Sequence, residues 1–316
     1  MSPKKDTLPL VNRRHRLALR RTIFRWYGRR RRPLPWRKTS DPYRILVSEI
    51  MLQQTQVSRV VQKYREFLER FPTLESLARA RTNSVIRAWS GLGYNSRALR
   101  LQKLARSVVQ EYAERIPDDP DILLTLPGIG KYSANAIACF AFHKDVPVVD
   151  TNIRRVLSRI FWQTHPGNDG VAERLAWRAA EMLLPRGCSC DWTLALMDLG
   201  ATICTARRPL CAECPVSITC RSAFVFDGRK AGKRKAKHEP SYGGIPNRLY
   251  RGRIVEVLRN VNGQGKIGLY ELGKRIKTPF KRSEEAWLHS LLRGLENDGL
   301  VKMHGRSPSG VLVSLP

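Results

Sequence analysis

Leu126-Pro127-Gly128-Ile129-Gly130, followed by Lys131 and Tyr132, decides the fold of this chain. It separates two helix-like segments, 120–125 and 131–142. Two glycines bracketing one apolar residue allow a tight hairpin, and its free backbone N–H groups at a helix start can face a phosphate. Alone, the motif also describes ordinary helical turns. Its weight comes from Val148-Val149-Asp150-Thr151-Asn152, which sets a carboxylate behind an apolar pair and ahead of a helical pattern, Ile153–Phe161. Asp at a helix start is by itself an ordinary N-cap.

Outward from the hairpin, residues from Pro42 to about Cys220 read as consecutive helices broken at Pro117, Pro127, Pro147 and Pro185. Apolar spacing predicts one long amphipathic helix over Ser48–Phe71, and shorter ones near 74–80, 83–89, 96–114, 151–161 and 170–184. No alternating strand pattern competes, so the core is expected to be all-α. Residues 1–35 form a basic N-terminal arm ending in Arg29-Arg30-Arg31-Arg32, partly helical in spacing, solvated or in contact with DNA. Residues 226–245 read as a basic linker. Residues 246–316 carry helix-like stretches at 249–261, 268–276 and 284–297, then two short apolar runs. This pattern suggests a small α+β domain of winged-helix type, which either reads DNA or docks a protein.

The 57 Lys and Arg against 27 Asp and Glu give a formal net charge of +30. Polyanions, nucleic acid above all, reward such an excess through counterion release. No apolar run approaches the ~20 residues that cross a membrane. The N-terminus has no signal-peptide pattern, so a cytoplasmic protein is expected, nucleoid-associated if bacterial. An odd total of seven cysteines argues against a disulfide framework. Four of them form one compact run, Cys204-x6-Cys211-x2-Cys214-x5-Cys220. Four thiolates satisfy either zinc or an iron–sulfur cluster. Cys139 lies in an apolar helix, and Cys188 and Cys190 read as a surface pair.

Glu49 sits in Ile45-Leu46-Val47-Ser48-Glu49-Ile50-Met51-Leu52, apolar enough to bury it in part. A buried carboxyl suits a general acid, and equally a structural partner for an arginine. Breaking an N-glycosidic bond needs one group to protonate the leaving base and one to stabilise an oxocarbenium-like sugar. Glu49 and Asp150 in different environments would provide both.

The cysteine spacing resembles the [4Fe–4S] loop of endonuclease III and MutY-type enzymes. Trp36-Arg37, Pro42-Tyr43, Glu49–Val57, Gly91-Leu92-Gly93-Tyr94, the hairpin, Asp150 and Met197-Asp198-Leu199-Gly200 together resemble MutY-type adenine DNA glycosylases, in order, from about 36 to 220. The resemblance implies a helix-hairpin-helix glycosylase core of two helical lobes at 36–203 and an iron–sulfur loop at 204–225. It implies Asp150 as the catalytic aspartate, Glu49 as the acid protonating adenine, and Asn152 as a support of the transition state. Gln54 and Tyr94 would enter the DNA stack, while Gly128, Gly130, Lys131, Trp36 and Arg37 would contact DNA. Cys204, Cys211, Cys214 and Cys220 would hold a [4Fe–4S] cluster. Bifunctional relatives carry a Schiff-base lysine where this chain has Tyr132, so water attack and a monofunctional enzyme follow. Lys131, adjacent on the helix, points about 100° away.

Three features depart from the family. Asn95 stands where these enzymes usually have a second tyrosine, and Asp150-Thr151-Asn152 replaces Asp-Gly-Asn. A short winged-helix-like tail stands in place of a Nudix-like domain. The expected partner is duplex DNA with a mismatched or damaged pair, bound by a monomer that releases adenine opposite guanine or 8-oxoguanine. Tyr132 also occurs in thymine-DNA glycosylases, so a thymine or uracil glycosylase at G mismatches stays open. An iron–sulfur DNA-binding regulator is the alternative of another class.

Overall fold

The computed structural model describes residues 12–162, 169–225, 239–261, 265–305 and 310–316. The chain divides into two compact units that each draw on distant segments: Met1–Ile45, Asp118–Thr125 and Ile129–Arg234, and Leu46–Pro117, Leu126–Gly128 and Lys235–Pro316. In chain order the helices are α1 (Arg13–Arg30), α2 (Pro42–Leu52), α3 (Val57–Arg70), α4 (Leu74–Arg79), α5 (Thr82–Ala88), α6 (Ser96–Glu111), α7 (Pro120–Thr125), α8 (Lys131–Phe142), α9 (Thr151–Phe161), α10 (Asp169–Leu183) and α11 (Ser189–Thr202). The C-terminal part adds β1 (Ser241–Tyr242), β2 (Ile245–Pro246), α12 (Asn247–Arg259), β3 (Lys266–Gly268), α13 (Leu269–Ile276), α14 (Glu285–Asn297), β4 (Lys302–His304) and β5 (Leu312–Ser314).

In the first unit, Leu19, Ile23 and Tyr27 recur every fourth residue of α1 and are buried in one core with α9, α10 and α11. The Asn12 side chain caps α1 by accepting from the His15 N–H at 2.8 Å. Arg20 donates to the carbonyls of Leu183 and Leu184, both at 2.9 Å, at the end of α10. The described part of the N-terminal arm is therefore a packed helix; its arginines diluted a regular apolar stripe. Residues 1–11 lie outside the described residues.

In the second unit, the helix expected over Ser48–Phe71 is two, α2 and α3. The chain breaks at Gln53–Gln56, where Gln54 takes a positive φ of 56°. The cause is Arg97 on α6. Its guanidinium donates to the carbonyls of Ile50 and Met51, both at 2.9 Å, and to that of Gln53. It thus satisfies carbonyls that end α2. Periodicity carries no trace of that partner. Val60, Tyr64 and Phe67 bury the inner face of α3, with Phe67 edge-on to Trp89 at 5.8 Å.

Of the expected linker, residues 226–238 lie outside the described residues, and 241–246 form the antiparallel β1–β2 pair. Beyond it, β3, β5 and β4 form an antiparallel sheet in that order, with Val313 opposite both Ile267 and Met303. Together with α12, α13 and α14 this is winged-helix topology. β3 is too short for alternation to announce it. The core of this part extends to Ile86 of α5.

Asp198 of α11, fully buried, pairs with Arg32 and Arg37 in the first unit; Arg37 meets both carboxylate oxygens at 2.8 Å. Burial pushes this carboxyl up, but hydrogen bonds from Arg37 and the two cationic charges outweigh it and hold its pKa below the ordinary value. The ion pair therefore contributes stability above the unfolded carboxyl pKa near ~3.9 and loses it as pH falls through the lower folded value. Asp198→Asn strands a buried guanidinium and is expected to cost about 3–5 kcal/mol. Thermal melts should show a lower Tm for the variant at pH 7 and a gap that closes only in strong acid. Equal melting at pH 7 would refute this account.

Candidate active site and iron–sulfur loop

The hairpin forms as its residue types require. Leu126 and Ile129 are buried, while Gly128 and Gly130 are exposed. Gly128 has a φ of +82°, a conformation that calls for glycine, and a Cβ there would crowd Arg100 at 3.1 Å from its own Cβ. Gly130 precedes the first turn of α8 with an extended backbone, leaving the helix start open to an anion. Tyr132, half-buried, lies on that first turn. The Lys131 ammonium sits over the Trp177 ring, 4.3 Å from its centroid, and is engaged there.

Asp150 caps α9. One carboxylate oxygen accepts from the Ile153 N–H at 2.6 Å and the other from the Asn152 side-chain amide at 2.8 Å. Burial dominates its environment and raises its pKa, although these hydrogen bonds and Arg155 pull the other way. The N-cap and catalytic readings are therefore compatible: the cap fixes the carboxylate and burial perturbs it. Behind Asn152 stands Arg155, which donates to the Asn152 side-chain oxygen at 2.8 Å, to Gly200 O at 2.7 Å and to Cys204 O at 2.8 Å. Hydrogen bonds thus run unbroken from the carboxylate to the first residue of the cysteine loop. Gly200 makes room for this, since a Cβ on it would lie 2.7 Å from that of Asn152.

Glu49 is buried on α2 in the second unit. Two loops of that unit carry Gln54 and Tyr94, both exposed and both at positive φ, 56° and 44°. Side chains there are strained by about 1 kcal/mol or more, which surrounding structure must offset. Arg97 provides it. Besides ending α2, it donates to Thr55 Oγ1 at 2.9 Å and to the carbonyls of Leu92 and Gly93 at 3.1 Å. Its guanidinium lies over the Trp89 and Tyr94 rings, and burial lowers its pKa to about 10, so it stays charged. Trp36 is buried, and Arg37 closes the Asp198 ion pair. Both contribute to the interior of the first unit.

Cys204, Cys211, Cys214 and Cys220 line one apolar pocket, walled by Ile203, Pro209 and Leu210 and flanked by Arg159. Burial pushes the Cys214 thiol up to about 11 and raises that of Cys220. Thiolates here need a cationic partner, which bound iron supplies. Arg159 donates to Cys204 Sγ at 3.3 Å and to the carbonyls of Thr205 and Ala206 at 2.7 and 3.0 Å. Among the described residues no three His, Cys, Asp or Glu side chains make a single-ion site. Four thiols around an apolar cavity fit an iron–sulfur cluster, whose role when bound is to tie the loop together. Of the remaining thiols, Cys190 is half-buried and hydrogen-bonded to the buried Cys139, which corrects the surface pair expected of Cys188 and Cys190.

Residues 47–181 match the HhH-GPD superfamily of base excision DNA repair proteins, and residues 204–217 the iron–sulfur binding domain of endonuclease III. An adenine DNA glycosylase of Mycolicibacterium smegmatis is 45% identical over 240 residues, covering 75% of this chain and 79% of that protein. The chain belongs to the adenine DNA glycosylase family. A thermostable thymine-DNA glycosylase superposes with a TM-score of 0.60 at 34% identity, covering 66% of this chain and 96% of its own. Endonuclease III in a non-covalent DNA complex shares the fold, with a TM-score of 0.58 at 21% identity and coverage of 68% and 97%. The protein is accordingly a DNA N-glycosylase of base-excision repair with a [4Fe–4S] cluster. Among the described residues no helix is long and apolar enough to cross a membrane.

Sequence reading missed Arg97, Arg155 and Arg159. Arg97 shares a helix face with buried Leu101, Leu104 and Val108, and a cation on an apolar stripe is the signal that marked it. Arg155 and Arg159 follow Asn152 at helical spacing. For this glycosylase, Gly200→Ala should displace Asn152 and slow single-turnover base release about tenfold to a hundredfold. Iron content, measured on the same preparation, should match wild type. Base release at the wild-type rate would show that the close approach at Gly200 is dispensable.

Proposed function

We propose that this protein is a monofunctional glycosylase that releases adenine paired with guanine or 8-oxoguanine in duplex DNA. The observation that carries the hydrolytic reading is Asp150, a carboxylate of raised pKa held by Ile153 N–H and Asn152. The choice of adenine rests on the similarity to adenine DNA glycosylases. Glu49, buried on α2, protonates the leaving base; Asp150 stabilises the positive charge that develops on the sugar. Asn152, steadied by Arg155, keeps the carboxylate aimed. Tyr132 offers no amine and Lys131 is held over Trp177, so water completes the reaction and the strand stays intact. The open start of α8 at Gly128 and Gly130 receives a phosphate, and Gln54 and Tyr94 fill the space left by the extruded base. One extruded base requires one active site, so the protein works as a monomer, in the cytoplasm and on the nucleoid if bacterial.

Asp150→Asn separates function from stability. Asn caps a helix as well as Asp, yet it cannot stabilise cationic charge, and base release should fall on the order of 10³-fold or more. A folded pKa raised above the unfolded one means that ionised Asp150 destabilises the fold above the unfolded pKa. The variant should therefore melt at or above the wild-type Tm at pH 7, with the difference vanishing in acid. Full activity of the variant would remove Asp150 from the mechanism.

Substrate choice is read in one assay. Duplexes carrying A·8-oxoG, A·G, T·G and U·G are incubated with enzyme and abasic sites are then cleaved with alkali. Cleavage of the adenine strand is expected. Cleavage of the thymine or uracil strand alone would replace this reading with that of a glycosylase at G mismatches.

A further inference from the structure

Asn95 directly follows Tyr94, and the structure shows what it does. Asn is among the best N-cap residues, and it stands directly before α6, yet its side chain makes no capping bond. Its amide oxygen accepts instead from Arg259 Nη2 at 2.8 Å. Arg259 is the last residue of α12, in the winged-helix part, and its guanidinium is almost completely buried. Nε donates to Ile86 O at 3.0 Å, and Nη1 pairs with Glu256 at 2.7 Å. Arg87 of α5 in turn donates to the Arg259 carbonyl. Each of these two helices therefore ends on an arginine of the other, which satisfies carbonyls that a helix C-terminus leaves open. Ser90 adds a hydroxyl donated to the Glu256 carboxylate at 3.3 Å.

Ile86, Arg87, Ser90 and Asn95 bracket a single loop, Gly91-Leu92-Gly93-Tyr94, at whose end Tyr94 is held exposed at positive φ. Arg97 grips this loop through the Leu92 and Gly93 carbonyls and the Tyr94 ring; Arg259 grips the residue that follows it. We propose that Arg259 is a positioning residue for Tyr94, and that the winged-helix part thereby serves base extrusion by bracing the Tyr94 loop through Asn95. The proposal rests on the reading of Tyr94 as the side chain that fills the vacated stack. It gives the C-terminal segment a task in the reaction that requires no contact with DNA.

Stopped-flow fluorescence tests it with the full chain and a duplex holding 2-aminopurine opposite 8-oxoguanine, since that base brightens when it leaves the stack. Asn95→Ala and Arg259→Met should each slow the fluorescence rise about tenfold to a hundredfold, with binding to undamaged duplex unchanged. The double variant should be no slower than the slower single one, because both remove one interaction. Asn95→Asp keeps an acceptor for Arg259 and should restore the wild-type rate. Should Arg259→Met fail to fold, the two Asn95 variants, at a half-buried loop position, still decide. Wild-type extrusion by Asn95→Ala, or an Asn95→Asp as slow as Asn95→Ala, overturns the brace. Tyr94→Ala serves as the reference. If it extrudes normally, the reading of Tyr94 itself fails; if it is slow while Asn95→Ala and Arg259→Met are not, the brace alone fails.

Discussion

Buried guanidinium groups bonded to backbone carbonyls hold the working parts of this protein in place. A helix end or tight loop leaves carbonyls without partners, and away from water each one needs a donor. Arginine meets that need well, because its planar group offers five donors in a fixed fork and stays charged. Arg97 joins the end of α2 to the Tyr94 loop, Arg155 joins Asn152 to Gly200 and Cys204, and Arg159 closes the cysteine loop. Arg259 and Arg87 exchange places at the ends of α12 and α5. Part of the large positive charge is thus internal scaffolding, and the net charge overstates the surface available to DNA.

This arrangement also explains how the Asp150 carboxylate is held. Asp150 is fixed from one side by the first turn of α9 and from the other by Asn152, whose own orientation depends on Arg155. Arg155 depends in turn on carbonyls at Gly200 and Cys204. The cysteine loop therefore lies two side chains away from the Asp150 carboxylate. A hydrolysis transfers no electrons, so a structural role for the cluster suffices, and the hydrogen-bond chain gives that role a physical route.

Much of this architecture was legible in the sequence. The prolines, the apolar periodicity and the hairpin placed α4 to α10 and the C-terminal helices close to where they stand. The α2–α3 break was not legible, because apolar spacing runs through it and the interaction that ends α2 comes from a residue on α6. The N-terminal segment was legible only in part: its helical spacing showed, but its abundant arginines obscured that Leu19, Ile23 and Tyr27 form one buried stripe. Arg37 sat in a family-like motif, but motif membership does not reveal that it closes a buried ion pair with Asp198.

The sequence by itself determined which chemical groups are present and in what order. Four cysteines at fixed spacing, a carboxylate at a helix start, a second in an apolar segment and a tyrosine where a lysine would change the reaction are properties of residue type and order, which a chain displays without folding. Tertiary structure alone decided which side chains hold that chemistry in position. Arg97 touches Gln53, Arg155 touches Cys204 and Arg259 touches Asn95 across separations of tens to more than a hundred residues. Long-range hydrogen bonds of this kind obey no local period; they form because buried carbonyls must be satisfied by whichever donor the fold brings near.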